Sequence, residues 1–158
     1  MKVLSGLRDI SDIKNEYYWY SNINKKKQNQ DLLLLELSRD VGWFNEKRVP
    51  VCLPNQDRKL DDVTGHMTYE HGNVGGFRVI SNNDCNSFSY NNYFFTTVRD
   101  HMFCAVRKKK GKKICKDDIG RPMVVEKAGG RYELIGVVSN MVMNCGETMY
   151  PAIFTRSG

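Results

Sequence analysis

Five cysteines and three histidines are the residues in this chain best suited to chemistry, and their spacing limits what they can do. Cys52, Cys85, Cys104, Cys115 and Cys145 form no C-x-x-C pair, which excludes zinc-finger and thioredoxin-like spacing. His101 and Cys104 are spaced H-x-x-C, but no second ligand pair accompanies them, so no metal site is expected. His66 and His71 stand alone and read as surface or core histidines. There is no glycine-rich phosphate loop and no cofactor is implied; no N-x-S/T sequon occurs either. Widely spaced cysteines point instead to disulfides in an oxidising compartment.

The second chemical feature is charge. The chain has 24 Lys plus Arg against 18 Asp plus Glu, a net charge of +6. Residues 107–127 alone hold nine basic and three acidic residues, a local balance equal to that whole charge of +6. The run begins Arg107, Lys108, Lys109, Lys110, Lys112, Lys113. Two readings of it stay open: a patch for a polyanion such as heparin, or a solvated loop. A smaller run, Lys25-Lys26-Lys27, sits among Asn and Gln in residues 22–30.

The elements that must position these groups read as strands. At 158 residues, 41% hydrophobic and 27% charged, the composition is that of a globular domain. The longest apolar run, Leu32–Leu35, is far short of the roughly 18 residues a membrane helix needs, so no membrane partner is expected. Short apolar segments bounded by Gly, Asn, Asp and Pro recur at 3–4, 31–37, 62–64, 76–80, 123–125, 132–138 and 153–155, and 49–54 is a short extended piece between prolines. This is the pattern of an all-β sandwich or barrel. Residues 84–97 have room for a helical turn but lack a clear 3.6 period, and the Asn-rich stretch at 82–92 reads as loop. Met1–Asp9 meets charge before a signal-peptide core could form, so no leader is expected in these residues. A secreted-type cysteine pattern without a leader suggests a chain whose beginning is missing.

Six collinear segments then resemble trypsin-like serine proteases. Asn29-Gln30-Asp31-Leu32-Leu33-Leu34-Leu35-Glu36-Leu37 is similar to the family's "N-N-D-I-x-L-I-x-L". Arg48-Val49-Pro50-Val51-Cys52-Leu53-Pro54 is similar to "V-x-x-x-C-L-P", and Met102-Phe103-Cys104-Ala105 matches "M-F-C-A". Cys115-Lys116-Asp117-Asp118-Ile119-Gly120-Arg121-Pro122-Met123-Val124-Val125 stands where the family has "C-x-G-D-S-G-G-P-V-V". Leu134-Ile135-Gly136-Val137-Val138-Ser139 resembles "L-x-G-I-V-S". Asn144-Cys145-Gly146 through Tyr150-Pro151-Ala152-Ile153-Phe154-Thr155 resembles "G-C-A … P-G-V-Y-T".

The resemblance implies the family's double β-barrel, with residues 1–55 as the remainder of the first barrel and 56–158 as the second. The family's histidine segment, "T-A-A-H-C", and its terminal helix have no counterpart in these residues. The resemblance also implies the bridges Cys85–Cys104 and Cys115–Cys145 and leaves Cys52 odd. In relatives with a pro-domain, the equivalent of Cys52 tethers that upstream segment. Cys52 is expected either to do the same or to remain a free buried thiol.

By the same resemblance, Asp31 is a vestigial triad aspartate, Ile119 replaces the nucleophilic serine and Asp117 replaces an oxyanion-hole glycine. Acyl transfer needs the serine, its histidine base, the orienting aspartate and the oxyanion hole. Isoleucine has no lone pair with which to attack a carbonyl. Asp118 keeps the position of the aspartate that pairs with a new N-terminus in active relatives. Without that partner it must find another or sit near solvent, and Arg121, three residues on, is one candidate. In the substrate pocket, Lys113 occupies the base, Met141 and Ala152 replace wall glycines, and Asn140 follows Ser139 in place of a tryptophan. These changes narrow the pocket or, with Lys113 exposed in it, favour an acidic side chain; Lys113 within the solvated basic loop is the alternative.

The expected function is therefore a non-catalytic, secreted protease homologue. It would bind a protease, an inhibitor or another cascade component as regulator or decoy. The alternatives are a serine endopeptidase seen incompletely and a polyanion binder through residues 107–113.

Overall fold

The computed structural model describes residues 2–5, 19–29, 31–38, 49–55, 59–68, 74–90, 97–108, 114–140 and 151–157. Alternation of buried and exposed residues makes the strands. In Val74–Ile80, Gly75, Phe77 and Val79 point inward while Val74 and Arg78 face solvent. In Arg131–Asn140 the buried positions are Glu133, Ile135, Gly136 and Val138. Such period-two runs bury one face only, so they stabilise a sheet that closes around its apolar side.

Two units result, Met1–Pro50 and Val51–Gly158. The first contains an antiparallel sheet of β1 (Lys2–Ser5), β2 (Trp19–Asn29) and β3 (Leu32–Leu37), in the order β1-β2-β3. The second contains β4 (Thr64–Thr68), β5 (Val74–Ile80), α1 (Asn82–Tyr90), β6 (Met102–Arg107), β7 (Pro122–Lys127), β8 (Arg131–Asn140) and β9 (Ala152–Arg156). Its strands form a closed barrel in the order β4-β5-β6-β9-β8-β7. Closure comes where β4 meets β7, His66 opposite Val124. The fold is all-β with a trypsin-like β-barrel.

The barrel core is built from Met67, Phe77, Val79, Phe103, Met123, Ile135, Val138 and Phe154. Phe103 and Phe154 stack with ring centroids 5.0 Å apart. Gly136 makes that stack possible, since a Cβ there would lie 2.5 Å from Phe103 Cε1 and 2.7 Å from the Thr155 carbonyl oxygen. A smaller cluster, Ile80, Cys85, Val98, Cys104 and Ile153, lies under α1.

Four elements differ from the reading of the sequence. The stretch at 82–92 is not loop throughout, because α1 spans Asn82–Tyr90. Its signal is a cap rather than a period: the Asp84 N–H donates to Ser81 Oγ at 3.0 Å, and Ser81 Oγ donates to Asp84 Oδ2 at 2.8 Å. The Asn86 side chain then clamps Val98, accepting from its N–H at 2.8 Å and donating to its carbonyl at 3.3 Å. The lysine run Lys25–Lys27 lies inside strand β2, where pairing with β3 (Lys25 opposite Glu36, Lys26 opposite Leu35, Lys27 opposite Leu34) overrides its polar composition. Met102–Arg107 is a full barrel strand between β5 and β9, although its sequence carries no alternation. Residues 62–64 form a strand only from Thr64, since Asp62 adopts a left-handed φ of 59° in the turn before it.

Val51–Pro54 groups with the second unit. Cys52 runs parallel to β8: its N–H donates to the Tyr132 carbonyl and its own carbonyl accepts from the Leu134 N–H, each at 2.8 Å. Beside this bridge Glu133 is buried and pairs with Lys127 at 2.9 Å.

Candidate functional site

The turn from Ile114 to Arg121 joins three parts of the second unit. Ile114 packs half-buried against the barrel core, and Lys116–Asp118 forms one turn of 3-10 helix. That turn places the Asp118 carboxylate inward, only 3% exposed. One oxygen, Oδ1, meets Arg121 Nε at 2.8 Å; the other, Oδ2, accepts the Cys115 N–H at 2.8 Å. The expected Asp118–Arg121 contact is thus present. Arg121 goes further, donating through Nη1 to the Thr68 carbonyl at the end of β4, 3.0 Å away. Nothing in the sequence signals that acceptor, because every residue type carries a backbone carbonyl.

The backbone is fixed as well. The Asp118 N–H donates to the Cys115 carbonyl at 2.8 Å and the Arg121 N–H to the Asp118 carbonyl at 3.0 Å. Gly120 has a φ of 88°, a conformation that side-chain-bearing residues rarely adopt. There its N–H reaches the Val138 carbonyl at 2.8 Å, and the Val138 N–H returns to the Arg121 carbonyl at 2.9 Å. Between these anchors Asp117 is exposed and Ile119 is 47% exposed.

Ser139 and Asn140 follow Val138 on β8, half-buried and exposed respectively. Asn140 lies opposite Ile153 in the β8–β9 register, next to Ala152, which is 3% exposed. Val138, which bonds the backbone of Gly120 and Arg121, is followed directly on β8 by Ser139 and Asn140. Lys113, Met141 and Cys145 lie outside the described residues, as do Lys109, Lys110 and Lys112. Of the basic run, Arg107 is half-buried and Lys108 exposed. Asp31 is an exposed turn residue ahead of β3, in the first unit.

Cys85 and Cys104 form a disulfide that ties α1 to β6. Cys115 is also disulfide-bonded, and Cys52 is a free, half-buried thiol. Among the described residues no group of three or more His, Cys, Asp or Glu could hold a metal, and no helix is long and apolar enough to cross a membrane.

Set beside known proteins, residues 5–158 match the family described as Trypsin. The chain is 31% identical over 140 residues to the human atrial natriuretic peptide-converting enzyme, covering 80% of this chain and 13% of that protein. It is 30% identical over 141 residues to the serine protease filzig of Drosophila melanogaster, covering 80% of this chain and 8% of that one. It is 31% identical over 141 residues to the venom serine protease Bi-VSP of Bombus ignitus, covering 80% and 38%. The closed barrel and these matches define a trypsin-like serine protease domain. The chain belongs to the trypsin family, and it spans well under half the length of each of these relatives.

Proposed function

We propose that this chain is a non-catalytic member of the trypsin family that works outside the cell by binding a protein partner, as regulator or decoy in a protease cascade. One observation carries the reading. Ile119 stands half-exposed on the turn where the family motif has its nucleophilic serine. Its hydrocarbon side chain can form no acyl intermediate. Asp117, exposed two residues earlier, brings a carboxylate where the motif has the oxyanion-hole glycine. Loss of one oxyanion donor costs about 10²–10³ in rate, and a negative charge beside a developing oxyanion adds repulsion. A rigid turn that displays an apolar and an acidic side chain is suited to contact rather than turnover. The disulfides support an extracellular setting.

The test is hydrolysis of fluorescent casein by the purified protein at neutral to alkaline pH. The expected rate equals the protein-free blank. Turnover that follows the protein through successive columns and is stopped by a serine-directed phosphonate would instead establish an endopeptidase.

The concentration of positive charge favours a second reading, a polyanion site at residues 107–113. Replacing Lys108, Lys109, Lys110 and Lys112 by alanine is then expected to lower the salt needed for elution from heparin. Its salt dependence should flatten by about 0.7–0.9 in log–log slope for each anionic group no longer neutralised. Unchanged elution would remove this reading.

A further inference from the structure

We propose that Arg121 is a positioning residue: an internal counter-ion that holds turn 115–121 in one conformation. The intact chain would then present Asp117 and Ile119 on a preformed face without any added cation. This goes beyond the binding reading and stands on the turn alone, whether or not a partner docks there.

Three features carry it. Burying a carboxylate as deeply as Asp118 is costly unless a cation or several donors meet it. Here both oxygens are engaged from within the chain, by the Arg121 guanidinium and the Cys115 N–H, each at 2.8 Å. The two donors come from three residues before and three residues after Asp118, so the carboxylate closes the turn on itself. The same guanidinium, 26% exposed, also reaches the Thr68 carbonyl at 3.0 Å and thereby ties the turn to β4, far away in sequence. Finally, Gly120 and Arg121 exchange backbone bonds with Val138 of β8. Asp117 and Ile119 sit between these three attachments, so their placement follows from the ion pair.

Amide hydrogen exchange on the whole chain tests this. In Arg121→Gly, the amides of residues 115–120 are expected to lose protection by about 100-fold, while those of β5 and β6 keep theirs. Millimolar methylguanidinium, which fits the space vacated by the arginine head, is expected to restore much of the loss; tetramethylammonium, which cannot donate hydrogen bonds, is not. Wild-type protection in Arg121→Gly, or an equal loss across the whole barrel, would overturn the proposal. Should Arg121→Gly fail to fold, Arg121→Lys and Arg121→Gln decide. The lysine variant keeps the charge and is expected to protect the turn better than the glutamine variant; equal protection in the two would overturn the proposal.

Discussion

Phe154→Ala is expected to destabilise the second unit by about 3–5 kcal/mol, the range for removing a fully buried aromatic ring from a core. Phe154 is 0% exposed and stacks on Phe103. It sits on β9 opposite Phe103 of β6 on one side and Val138 of β8 on the other. The cavity left by the ring would not collapse easily, because both neighbouring strands are held by ladders on each edge. Gly136 has no side chain with which to fill the gap. For a unit of this size the melting temperature is expected to fall by more than about 10 °C. A calorimetric shift of only one or two degrees would mean that the core is not organised around this stack. The consequence reaches the candidate site, since Val138 belongs to the same core and anchors the turn at Gly120 and Arg121.

Replacing Cys85 and Cys104 together by alanine is expected to cost about 3 kcal/mol, the chain-entropy term for a loop of this length. The bridge spans 19 residues in sequence, and both cysteines are 0% exposed. The effect should be uneven. Helix α1, NNDCNSFSY, brings little apolar surface of its own, with Phe88 half-buried beside Cys85. Its hold on the barrel therefore depends on the bridge and on the Asn86 clamp. Amides of residues 82–90 are expected to exchange much faster in the double variant, while β7 and β8 change little. Unaltered protection in α1 together with an unshifted melting temperature would show that the helix is held by other means.

The strands of the second unit were legible where burial imposes alternation, as in Phe77-Arg78-Val79 of β5 and in the Leu134–Val138 stretch of β8. Alternation could not reveal β6, because Phe103, Cys104 and Ala105 are buried in succession, with one side against the barrel core and the other against the cluster under α1. Strand β2 was hidden by its lysines; it is a strand because of its partners, and partners are not written in a single segment. Helix α1 was hidden by its asparagines, yet Ser81-x-x-Asp84 is a capping signature that could have exposed it. At the candidate site, the sequence left Asp118 with either a new partner or a place near solvent; its burial decides for a partner, and Arg121 was near enough in sequence to be one. The reach of Arg121 to Thr68 depends on how β4 closes onto β7, a tertiary fact that no local spacing encodes.

The non-catalytic reading rests on Ile119. The most direct test is to treat the purified protein with a fluorophosphonate that esterifies activated serines and to weigh both the intact chain and its peptides. An unchanged mass is predicted, with no adduct on the peptide that carries residues 114–127. A stoichiometric adduct on the chain, formed at neutral pH and blocked by prior denaturation, would reveal an activated nucleophile and contradict the non-catalytic reading.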